Sequence, residues 1–179
     1  MGATTTLVTV QEFMQQPEVE GVLMELIGGE IVSMPSGKAP HEVVKKNLIK
    51  ILVLWLAQNS PAELFAESMY HVDEHNALMP DLSVLFPGRI GATSKGWIQG
   101  APEIAIEVVS SESAARLEDK IDLYLAHRGK SVWIVYPRKR VVRIFDAGGG
   151  STKFERDQPL TDPILPGFST PTSAIFEGV

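Results

Sequence analysis

The chain contains no cysteine among its 179 residues. Disulfides, thiolate zinc sites and cysteine nucleophiles are therefore excluded, while the redox compartment stays open. A long apolar run is missing too: the longest, Ile51 to Ala57, is far short of the ~20 residues a membrane helix needs. The N-terminus has no basic region followed by an apolar one, so the expectation is a cytoplasmic protein with no membrane partner. Positive charge is scarce, with 16 Lys and Arg against 22 Asp and Glu and a formal charge of −6. That balance argues against a surface that grips nucleic acid over its whole extent, because such binding neutralises phosphates with Lys and Arg. A local basic strip remains compatible, with clusters at Lys45, Lys46 and Lys50 and at Arg138, Lys139, Arg140 and Arg143. Internal repeats and low-complexity segments are absent as well.

What is present is enough apolar material, 44% of the chain, for one domain over residues 1–179, with a core at about 22–146 and a Gly- and Pro-rich tail, 147–179, wrapping it. Thr9-Val10-Gln11-Glu12 has the form of a capping box and predicts a short helix ending before Pro17. Leu23 to Ile27 and Glu30 to Met34 flank Gly28-Gly29, whose freedom at positive φ suits a hairpin. Pro35 to Pro40 reads as a loop. From His41 to Gln58, Val44, Leu48, Ile51, Leu52 and Trp55 recur at spacings of three and four and predict a long helix. Strands follow at about Leu64 to His71, Leu78 to Phe86 and Glu103 to Val109, with a turn at Asp73 to Asn76 and a loop over Gly88 to Gly100. A helix capped by Ser111 or Ser113 should run to about His127, where Gly129 stops it. Val132 to Tyr136 and Val141 to Asp146 then form a second hairpin. This order implies an α/β fold, a mixed sheet flanked by helices, with the first hairpin as an N-terminal extension.

Two acids interrupt otherwise buried strands. Asp81 follows Pro80 and leads into Leu82 to Phe86; Glu107 sits within Ile104 to Val109. Burying a carboxylate is costly and calls for a reason. Alternation puts Glu107 on the face of Ala105 and Val109, with Ile104, Ile106 and Val108 opposite. If the strand after Asp81 lies beside it, the two carboxylates converge at the sheet edge as hard oxygen ligands suited to Mg²⁺ with waters and substrate phosphate. Lys120, three after Leu117 and four before Tyr124, lies on the inward face of its helix and would supply a cation; the other reading of the same spacing is a stem that covers the core with the ammonium out in water. His41 shares the apolar stripe of the first helix and could touch phosphate or a water; Glu30 and Glu25, on the hairpin, could add an acid. His71 and His75 lack zinc-site spacing and read as a polar turn. Ser110, Ser111 and Ser113 lack a nucleophile elbow and read as caps, and Gly148 to Gly150 is a turn.

Pro80-Asp81, then Glu107-Val108-Val109, then Asp119-Lys120 and Tyr124 on a helix together resemble the PD-(D/E)XK nuclease superfamily. Glu25 to Glu30 followed by His41, and Val132 to Val135, are similar to its bacterial branch of restriction endonuclease-like proteins, once classed as a domain of unknown function. The match spans about residues 22–146. The resemblance implies a restriction endonuclease-like core and Mg²⁺- or Mn²⁺-dependent hydrolysis of DNA by a homodimer. It implies Asp81, Glu107 and the backbone carbonyl of Val108 as metal ligands. The superfamily's lysine position is occupied here by Val109, and the resemblance moves that role to Lys120. The alternatives are a catalytically inactive nucleic-acid-binding or protein-interaction module on the same fold and an unrelated α/β hydrolase.

Overall fold

The computed structural model describes residues 7–17, 19–34, 37–89 and 96–179. The capping box forms as expected: Thr9 Oγ1 accepts from the Glu12 amide while the Glu12 carboxylate accepts from that of Thr9, opening α1 (Val10–Gln15). The hairpin of β1 (Leu23–Ile27) and β2 (Glu30–Met34) turns on Gly28 and Gly29, both at positive φ. Helix α2 (Ala39–Asn59) starts before His41, with Pro40 in its first turn, where a missing N–H costs nothing. Its buried stripe is His41, Val44, Leu48, Leu52 and Leu56, a strict spacing of three and then four.

The two expected strands before Glu103 are each divided. Residues 64–71 split into β3 (Glu63–Ala66) and β4 (Tyr70–Asp73), because Glu67 turns at positive φ and carries the chain into another sheet. Residues 78–86 split into β5 (Asn76–Leu78) and β6 (Leu82–Leu85) at Pro80, which has no N–H for a ladder. The loop over Gly88 to Gly100 contains β7 (Ile98–Gln99), parallel to β4; its residues 90–95 lie outside the described residues. Then come β8 (Ile104–Val108), α3 (Ala114–Ala126) capped by Ser113, β9 (Ser131–Tyr136) and β10 (Val141–Asp146). The tail does more than wrap. Its β11 (Ser151–Glu155) extends the main sheet, β12 (Pro159–Leu160) pairs β13 (Thr170–Pro171), and α4 (Thr172–Ile175) follows.

The main sheet runs β11-β10-β9-β8-β6-β3, mixed, with β8 parallel to β9 and antiparallel to β6. Parallel neighbours need a crossover, and α3 supplies it. A second sheet, β2-β1-β5-β4-β7, grows from the N-terminal hairpin through Leu26 opposite Ala77. Ile104, Ile106 and Val108 face α2 in one apolar cluster; Ala105 joins Leu117, Ile121 and Tyr124 of α3 in another. The alternation expected along β8 is thus realised, with one face under each helix.

Candidate active site

Strands β6 and β8 run antiparallel, Leu82 opposite Ile106, so the residue before β6 meets the end of β8. The Val108 amide donates to Asp81 Oδ2 at 2.7 Å, locking that carboxylate beside Glu107. Since β8 has β6 on one side and β9 on the other, the acids meet at interior strand ends rather than at the sheet edge. They line a cleft of about 380 Å³ shared by β1, the start of α2 and the segment joining β8 to α3.

Lys120 comes to this point from α3. Its side chain is 0% exposed, so it is an internal cation and not a lysine whose stem covers the core while its head reaches water. Nζ lies 2.7 Å from Glu107 Oε1, 3.0 Å from Glu25 Oε1 and 3.8 Å from Glu112 Oε1. Tyr124, one turn on, donates from its hydroxyl to the same Glu107 oxygen at 2.8 Å. Glu107 Oε2 makes no hydrogen bond among the described residues. Glu25 also accepts from the Met79 amide at 2.7 Å, which ties the second sheet to the site.

Three carboxylates around one ammonium leave negative charge in excess. Burial pushes Glu107 well above the usual carboxylate range; Lys120 opposes that shift, and Glu25, Asp81 and Glu112 add to it. Burial and the same neighbours raise Glu112, with Lys120 and Arg116 opposing. Burial alone would lower Lys120, but Glu107, Glu25 and Glu112 together outweigh it and hold the ammonium charged.

His41 is buried on α2 with both ring nitrogens against carboxylates, Nε2 3.0 Å from Asp81 Oδ1 and Nδ1 2.9 Å from Glu42 Oε1. Burial disfavours its cation, yet the bonds to Asp81 and Glu42 prevail and raise its pKa. Nearby, Lys45 is engaged by Glu67 at 2.8 Å and Glu42 at 3.2 Å, so this member of the first basic cluster is already neutralised. Lys46 and Lys50 are exposed.

Asp81, Glu107, Lys120 and His41, read from the sequence, are therefore brought together. Glu30 is not: it is exposed at the hairpin turn and borders a different hollow beside Asp119 and Asp122. The register of β1 turns Glu25 inward in its place. An acid inside the apolar run Leu23 to Ile27 was the available signal, the same that marked Glu107. Glu112, in a loop, had none. His75 and Asp73 form the expected polar turn, Asp73 Oδ1 accepting from the His75 amide, and the Asp146 carboxylate does the same for Gly148 and Gly150.

No group of three or more His, Asp or Glu side chains among the described residues is arranged to hold a metal unaided. Asp81 and Glu107 nevertheless fit Mg²⁺ or Mn²⁺, which bind through one or two carboxylates and complete their shell with water and phosphate. Glu107 Oε2 is the hard oxygen left for that purpose.

A family model, Uma2, described as "Putative restriction endonuclease", matches residues 10–173. No curated protein matches. Among solved structures, the fold is similar to that of a protein from Anabaena variabilis ATCC 29413 titled "a putative nuclease belonging to DUF820", at 23% identity and a TM-score of 0.83, over 94% of this chain and 97% of that one.

Proposed function

The chain belongs to the "Putative restriction endonuclease" family, and from that premise we propose that it is an endonuclease hydrolysing DNA phosphodiester bonds with Mg²⁺ or Mn²⁺. The observation carrying this reading is the convergence of Asp81 and Glu107 on one cleft, with the buried Lys120 ammonium 2.7 Å behind Glu107. Their separations in sequence, 107 − 81 = 26 and 120 − 107 = 13 residues, leave no local reason to meet.

Asp81 and Glu107 would hold the cation, with the Val108 carbonyl as a third ligand. When bound, the ion supplies Lewis acidity, polarising the phosphate and activating water. Asp81 is oriented from both sides, by the Val108 amide and by His41, whose cationic form donates to Asp81 and Glu42 together. Lys120 and Tyr124 fix Glu107 through Oε1 and leave Oε2 for the cation. The Lys120 ammonium also offsets negative charge developing on the phosphate, the role that Val109 cannot fill. A homodimer with one domain per chain would bring two copies of the cleft to the two strands, and the cytoplasm is the compartment proposed for it. Light scattering tests the dimer.

The decisive experiment is nicking of supercoiled plasmid in Mn²⁺, run beside Asp81→Asn purified identically. Cleavage by the parent alone is the expected result. Cleavage by both would implicate a contaminant, and cleavage by neither would oppose the reading. A non-catalytic nucleic-acid-binding or protein-interaction module is the second reading, favoured by Val109 and by the complete burial of Lys120 among acids. Calorimetry separates them, since only the enzyme requires a Mn²⁺ heat that Asp81→Asn removes.

A further inference from the structure

Three residues beyond Glu107, Ser110 stands out in the cleft because its Oγ is buried and has no hydrogen-bond partner among the described residues. A buried hydroxyl without a partner loses its water and gains nothing, so native structures seldom retain one unless something absent supplies the bond. Ser113, not Ser110, caps α3 by accepting from the Arg116 amide at 3.3 Å, so capping leaves Ser110 unexplained.

The same wall of the cleft holds Arg116, on the first turn of α3. Its guanidinium makes no hydrogen bond or ion pair among the described residues, although Glu112 is close enough to feel its charge. The other cations of the cleft region are saturated: Lys45 by Glu42 and Glu67, Lys120 by Glu25 and Glu107. Arg116 alone among them brings uncommitted positive charge to a pocket otherwise dominated by acids.

We propose that Ser110 and Arg116 form a phosphate-holding subsite for the nucleic-acid backbone, beside Glu107. This rests on the reading of the cleft as a nucleic-acid site. The Ser110 hydroxyl donates one hydrogen bond to a non-bridging phosphate oxygen, which satisfies the orphaned atom. The Arg116 fork engages the same group with two N–H donors, a geometry suited to phosphate. Such a subsite would offset repulsion between the carboxylates and the incoming polyanion. Both would touch the substrate backbone directly and take no part in bond breaking.

The test is anisotropy of a fluorescein-labelled DNA duplex titrated with the full chain in Ca²⁺, whose loose coordination favours binding over turnover. Ser110→Ala should raise Kd about three- to tenfold and Arg116→Gln more than tenfold, with Arg116→Lys between parent and Gln. Arg116→Gln should also reduce the slope of log Kd against log salt by about one, the signature of one lost phosphate contact. Arg128→Gln, an equal charge loss at an exposed position beyond the far end of α3 and outside the cleft, should change Kd less than twofold. The melting temperature of Ser110→Ala should hold or rise, because an unsatisfied hydroxyl is removed.

Kd values for Ser110→Ala and Arg116→Gln within twofold of the parent would overturn the subsite, as would an equal loss in Arg128→Gln or a Ser110→Ala defect accompanied by a fall in melting temperature. If the parent nicks plasmid while these variants bind as it does, only the subsite fails. If the parent binds with the predicted variant pattern but does not nick, the hydrolytic reading fails and the subsite stands. A parent that binds no DNA refutes both.

Discussion

Two buried carboxylate centres sit at opposite ends of the same sheet region and are built differently. Asp162, 3% exposed, accepts from Ser131 Oγ and Trp133 Nε1 at 2.6 Å each through Oδ2, and from the Ile164 amide at 2.8 Å through Oδ1. Every donor is neutral, and Asp162 does not line the cleft that holds Glu107. Glu107 faces a cation, shares that cation with Glu25 and Glu112, keeps one oxygen free of hydrogen bonds among the described residues, and lines an open cleft. Burial of an acid is thus no mark of function by itself. Asp162 fastens the tail to β9, whereas Glu107 carries a surplus of charge that only a ligand or a proton relieves.

The sharpest way to break this contrast is through activity. Asp81→Asn or Glu107→Gln should lower Mn²⁺-dependent nicking by at least about a thousandfold, the scale of losing a preorganised charge at the reacting group, with an unchanged circular dichroism spectrum. Asp162→Ala should leave nicking per folded molecule unaltered. Retained activity in either active-site variant would erase the distinction between the two centres.

Stability should separate them next. Lys120→Met removes the ammonium that Glu107, Glu25 and Glu112 share, and should cost about 3–5 kcal/mol by denaturant unfolding. Adding Glu25→Gln to that variant should restore part of the loss, because it removes one of the stranded charges. A cost below about 1 kcal/mol for Lys120→Met would mean the ammonium contributes little to holding the acids.

Asp162→Ala should cost about 1–3 kcal/mol, since it strands the donors of Ser131 and Trp133 without leaving an unpaired charge. Trp133 fluorescence offers a direct readout, as its indole N–H loses its acceptor.

The smallest effect is in pH dependence without metal. Glu107 binds its proton more tightly in the folded than in the unfolded protein, so the folded state holds more protons above the ordinary glutamate pKa of about 4.3. In EDTA, stability should therefore fall as pH rises from there through the raised folded value, and Glu107→Gln should flatten the slope. A parent whose stability climbs steadily over that window would contradict the charge surplus assigned to this centre.

Much of this architecture was readable in one dimension. The capping box at Thr9, the Gly28-Gly29 turn, the faces of β8 and the inward position of Lys120 all follow from spacing, because each depends on neighbours within a turn or a strand. The division of residues 64–71 and 78–86 between two sheets was less legible. Pro80 signalled a break, but Glu67 at positive φ did not, since nothing local favours that conformation for glutamate.

The site divides along the same line. Sequence by itself determined that Asp81 leads into one apolar strand, that Glu107 lies within another and that Lys120 is on the inward face of its helix, because alternation and helical period settle direction from adjacent residues. Only the tertiary structure decided which acids gather around that lysine. Glu25 reaches Met79 across 54 residues and Lys120 across 95, and Glu30, five positions away, is left outside. Such choices depend on strand register between distant segments, where a shift of one residue exchanges the buried face for the exposed one. Ser110 shows the same limit: its hydroxyl could equally have capped α3, and only folding left it buried in the cleft without a partner among the described residues.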